Sequence, residues 1–138
     1  MNALIQAMYN KMIADGALIA LLPLYKLIPA VFTTDPAPGD AILPYIVTAG
    51  AVSRVPFDTK NSLGVDVRQD VRCYDTRDGS AITVNAIAER VYWLFHRQPL
   101  VVAGYSVWLT DCAGPIAADE REAYGRIVTV RLAMEVVP

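Results

Sequence analysis

A chain of 138 residues has the length of one domain, spanning 1–138, and is long enough to bury roughly two thirds of its unfolded surface in a single core. Its net charge of -2, with no run of Lys or Arg at either end, argues against a protein that grips nucleic acid through its phosphates. Apolar residues make up 54% before glycine is counted, above the about 45–50% usual with glycine included, so some apolar surface is expected to stay outside, covered by copies or partners.

From Asn2, Leu4, Ile5, Met8, Met12 and Ile13 recur at helical spacing opposite Gln6, Asn10 and Lys11, which predicts an amphipathic helix. Asp15 can cap a second short turn over Ala17–Leu22, which Pro23 ends. Tyr25 to Phe32 reads as a short extended edge, since Pro29 is tolerated mainly at a sheet margin. Thr33 to Ala41 carries dense turn chemistry and reads as an exposed loop. The β-branched run Tyr45 to Val55 predicts a strand stopped by Pro56, followed by a polar loop to Gly64.

Val65 to Tyr74 is the clearest strand. Val65, Val67, Gln69, Val71 and Cys73 alternate with Asp66, Arg68, Asp70, Arg72 and Tyr74. After Asp78-Gly79, Ser80 is a plausible N-cap for a helix whose stripe is Ile82, Ile87, Val91, Leu94 and Phe95, running to about Gln98 before Pro99. Leu100 to Val102 and Tyr105 to Thr110 predict strand, Gly114 to Glu122 a loop, and Ile127 to Val137 a closing strand. This order predicts an α+β fold: a mixed or antiparallel sheet with two main helices packed on one face.

Chemistry-bearing patterns are sparse. His96 is the only histidine, placed near a helix end with no flanking nucleophile motif. Cys73 and Cys112 are expected to be buried free thiols in strand contexts, and no ligand spacing favours zinc or calcium. Asp119, Glu120 and Glu122 with Arg121 and Arg126 read as a solvated loop. The expectation is no enzyme, no metal and no cofactor. The longest apolar stretch, Ala17 to Phe32, is broken by Pro23, Lys26 and Pro29 and is too short to span a bilayer, and no secretory signal is expected. The alternation Asp66, Arg68, Asp70, Arg72 could be a solvated face or a polar contact between copies.

The whole chain resembles the tail-terminator, or tail-completion, family of tailed phages, which includes tail-to-head joining proteins. The resemblance rests on the first helix with its second turn ending in Leu18 to Leu22, a Pro-rich loop, and Pro44-Tyr45-Ile46-Val47 opening a strand. The alternating strand Val65 to Tyr74, the Asp78-Gly79-Ser80 turn into a helix, and the final strand pair complete it. It implies a virion protein at the head–tail junction, made in the host cytoplasm. There a homo-oligomeric ring of about six copies would close on the end of the tail tube, stop its growth and meet the head connector. Expected partners are the chain itself, the tail tube protein and a head-completion protein. DNA would pass through without specific binding, and no membrane is involved.

On that reading, lateral contacts between copies would use Asp66, Arg68, Asp70 and Arg72, and axial contacts the loops carrying Asp35, Asp40, Phe57, Lys60, Asp119 and Arg121. Other readings stay open. The chain could be a head-completion or connector adaptor, or a small-ligand-binding α+β dimer with Trp93, Trp108 and Tyr105 lining a pocket, although such aromatics are more often core. A small hydrolase would need Cys73 or Cys112 with His96.

Overall fold

A computed structural model describes residues 2–49, 51–60 and 63–137. Helix α1 (Asn2–Ile13) buries Leu4, Met8 and Met12, one residue per turn along the predicted stripe. Asp15 then caps the short α2 (Gly16–Ile19): its Oδ2 accepts the Leu18 N–H at 3.0 Å. The segment read as one extended edge is instead a small hairpin, β1 (Leu24–Tyr25) against β2 (Ile28–Pro29), followed by β3 (Val31–Phe32). Lys26 and Leu27 make its two-residue turn with φ of +48° and +67°, and the Ala30 N–H closes its base on the Pro23 carbonyl.

The run Tyr45 to Val55 does not form one strand. It divides into β4 (Tyr45–Val47) and β5 (Ala51–Pro56), which lie end to end along the same side of β6 (Gly64–Thr76). Gly50, between them, and Asn61 and Ser62, in the predicted polar loop, lie outside the described residues. The parallel pairing of β3 with β4 places β3 at the margin.

Helix α3 (Ile82–Phe95) follows the Asp78-Gly79 turn. Its N-cap is Ala81 with no side-chain bond, not Ser80, which lies one residue outside the helix cap and donates its N–H to Asp78 Oδ1 in the turn. Ile82 falls off the buried stripe, which runs through Val84, Ile87, Ala88, Val91, Leu94 and Phe95. The helix stops three residues earlier than expected: His96 is extended and Arg97 takes φ +53°, so the chain turns before Pro99 can terminate it.

Leu100 to Val102 is not strand, and β7 (Tyr105–Ala117) and β8 (Ala123–Val136) are both longer than expected. The predicted loop from Gly114 shrinks to residues 118–122, because Gly114-Pro115 is absorbed as an irregularity within the β7–β8 ladder. Gly114 suits that place: its φ is +97°, and an added Cβ would sit 2.7 Å from the Ile127 carbonyl oxygen.

The main sheet runs β3-β4-β6-β8-β7, with β5 beside the first half of β6, and all but the β3–β4 pair is antiparallel. The fold is α+β. Val65, Val67, Val71 and Cys73 of β6 and Val128, Val130, Leu132 and Met134 of β8 face α1 and α3 and form the main core with them. Arg90 of α3 ties the two helical segments together through a two-pronged bond to the Asp15 carboxylate, 2.7 Å on each arm. A second, smaller cluster sits elsewhere, with Ala30, Phe32 and Val47 packed against Tyr25, Tyr45 and Tyr74.

β7 ends the sheet, and its outer side is met at mid-strand by the turn after α3. Arg97 N–H donates to the Thr110 carbonyl at 2.9 Å, Cys112 N–H donates to His96 Nδ1 at 3.1 Å, and Thr110 Oγ1 donates to the Gln98 carbonyl at 2.7 Å.

Candidate assembly surfaces

The period of two in β6 sends Asp66, Arg68, Asp70 and Arg72 to the face turned away from the helices. The two acids are partnered within the chain. Asp66 takes Arg131 Nη2 of β8 at 2.9 Å, a diagonal pair since its direct neighbour there is Ala133. Asp70 Oδ1 accepts the Thr129 hydroxyl at 2.8 Å. Arg68 and Arg72 are exposed and make no hydrogen bond or ion pair among the described residues, and Arg68 stands directly opposite Arg131, a like charge. The predicted ladder therefore splits into two occupied acids and two free guanidinium groups.

The six loop residues expected to make axial contacts fall at two opposite ends of the sheet. β6 pairs at its last residues with the start of β4 (Tyr74 with Tyr45) and of β8 (Thr76 with Ala123), so the loops carrying Asp35, Asp40, Asp119 and Arg121 share one end. Phe57 and Lys60 lie at the other, where the Phe57 N–H meets the Gly64 carbonyl. Asp35, Lys60 and Arg121 are exposed. Asp40 accepts the Tyr25 hydroxyl at 2.7 Å, which holds its carboxyl below the usual range and raises the phenol. Asp119 is braced by the Gly125 N–H and by Arg126, both of which lower its pKa. Phe57 is half-buried: its ring covers Gly64 and tilts against Trp108, centroids 5.6 Å apart.

Sequence reading missed the chain of edge-to-face rings Tyr25–Phe32–Tyr45–Tyr74, at 5.2, 5.7 and 5.7 Å, which anchors the Pro-rich loop. Their spacing in sequence follows no single period. It also placed the tryptophans in the core, whereas Trp93 and Trp108 are 58% and 56% exposed. The three aromatics of the ligand reading do not converge. Trp108 lines a cavity of about 280 Å³ with Pro99 and Thr110, Tyr105 lines another with Pro56 and Leu63, and Trp93 lines neither.

His96 stacks on Tyr92 at 4.8 Å, and its Nδ1 accepts the Cys112 N–H while standing 3.2 Å from Asp111 Oδ1. That nitrogen is therefore engaged by the backbone. Burial pushes both thiols up to about 12, so Cys73 and Cys112 stay protonated at neutral pH. Among the described residues, no group of three or more His, Cys, Asp or Glu is placed to hold a metal ion, and no helix is long and apolar enough to cross a membrane. Leu24, Leu27, Ile42, Leu63 and Val101 are exposed, as the surplus of apolar residues predicts.

No family model matches the chain, and no curated protein does. Among solved structures, a chain in the virion of a native gene transfer agent particle superimposes with a TM-score of 0.74. The two chains share a fold. The correspondence covers 95% of this chain and 92% of that one at 19% sequence identity, so it belongs to the whole domain and not to one supersecondary motif.

Proposed function

We propose that this chain is a structural protein of a tailed-phage-like virion that closes as a ring on the end of the tail tube, terminates its growth and joins it to the head connector. The observation that carries this reading is the fold correspondence, nearly end to end, with a chain of the gene transfer agent virion. The terminator assignment within that class rests on the order of sequence elements. Polar loops at both ends of one sheet suit a subunit that meets a different protein above and below. Two free arginines on one sheet face and several exposed apolar side chains supply surface for neighbouring copies. The role is non-catalytic, and the partners are further copies, the tube protein and a head-completion protein.

Native mass spectrometry over a concentration series, with negative-stain imaging of the same samples, tests it. Closed rings of about six copies are expected, alone or on added tube ends. A stable dimer, or a monomer that purified tube ends fail to recruit, overturns the reading.

A further inference from the structure

The turn joining β1 to β2 is a left-handed pair, a geometry that hairpins ordinarily give to Asn-Gly. Here it is built from Lys26 and Leu27, and a non-glycine residue held at positive φ is strained. What the turn gains is display: Leu27 is 90% exposed at the tip, with Leu24 and Ile28 exposed behind it. The hairpin leads directly into β3, the first strand of the sheet.

At the opposite margin, beyond β7, the end of α3 carries an aromatic cluster. Trp93 packs edge-on to Tyr92 and His96 at 4.9 and 5.9 Å, leaving much of its ring in solvent. An unpaired acid flanks it. Glu89 lies one helical turn before Trp93, exposed and in no ion pair among the described residues. Asp111, beside His96, is not a second such acid: it stands directly opposite Arg131 in the β7–β8 ladder, and the two charges attract. Lys26 makes no ion pair within 4 Å among the described residues; its ammonium lies 5.3 Å from the Tyr25 ring centroid and is drawn more weakly to the Asp40 carboxylate that the Tyr25 hydroxyl binds.

We infer that the Lys26–Leu27 tip of one copy docks on the Trp93–His96 patch of the next, with Leu27 against the indole and Lys26 beside Glu89. The occupant is a second copy of this chain because each copy carries both halves, with matched charge, on opposite margins of one sheet. A single chain cannot bring them together, and joining them between chains is head-to-tail. This contact rests on the ring reading and specifies its apolar part.

The test uses Leu27→Glu and Trp93→Glu, both at exposed positions, each checked for an unchanged circular dichroism spectrum and melt. Under the conditions where the wild-type chain closes its ring, each variant alone is expected to lose it. Mixed, they regain one interface, because the intact tip of W93E meets the intact patch of L27E. Zero-length carbodiimide coupling then captures a 1:1 heterodimer joined from Lys26 to Glu89, and captures no dimer from either variant alone. Rings that survive either substitution, or a mixture that yields no heterodimer, overturn the contact and leave the ring reading standing. A wild-type chain that forms no ring, alone or on tube ends, overturns both.

Discussion

Asp15 has two local obligations: it caps α2 through the Leu18 N–H and holds Arg90 of α3. Replacing it with Ala is expected to cost about 1–2 kcal/mol, mostly the lost cap, since the exposed half of the ion pair adds little. Denaturant midpoints of the two proteins check this. The Arg90 bond is the main reason its carboxyl sits below 3.8, so its contribution is present above that value and fades as pH falls through the lowered one. The stability gap between wild type and Asp15→Asn should accordingly close on acidification below about pH 4. The thiols test the hydrolase alternative from the same scale. With both held at about 12, neither Cys73 nor Cys112 should react with a thiol reagent at pH 7 until the protein is unfolded, and rapid labelling of the native chain would contradict the burial.

Among the elements, β8 enters the sheet through a tight passage. An added Cβ at Gly125 would collide with the Ala118 carbonyl and lie 3.2 Å from the Tyr74 ring. Gly125→Ala should therefore lower stability by about 1–3 kcal/mol, read as an earlier urea midpoint with an unchanged slope. The elements that were legible in the sequence are those whose period and burial agree. α1, β6 and β8 each bury one face against one core, so spacing alone located them. Where a backbone irregularity intervened, composition misled. Gly114-Pro115 reads as a loop opening but is carried inside β7, because a Gly at positive φ lets the strand step out of register and resume. The division of Tyr45 to Val55 follows from two short strands sharing one long partner, which no local pattern encodes.

For the whole molecule, the sequence pointed to Asp66, Arg68, Asp70 and Arg72 as one surface, but it could not tell which charges the chain already satisfies. That depends on β8 supplying Arg131 and Thr129 from some 60 residues away. The exposed tryptophans were misread for a related reason: an aromatic in an amphipathic pattern says nothing about which side of its element the core takes. If Arg68 and Arg72 belong to the lateral contact, converting both to Glu should weaken the ring, read by native mass spectrometry as a shift toward free subunits. The effect should shrink as salt is raised. Assembly unchanged at low salt would remove this face from the contact.

The turn after α3 that seats itself on the middle of β7 has a consequence for the unassembled protein. A 13-residue marginal strand with a bare backbone is a template on which other chains can pair without limit, and that is the usual route from a soluble β protein to fibres. With the Thr110 carbonyl and the Cys112 N–H already engaged, no incoming strand can run the length of β7. Free subunits are thereby kept from pairing edge to edge, and on the proposed reading contacts between copies are left to side chains, whose geometry permits closure after a fixed number of copies.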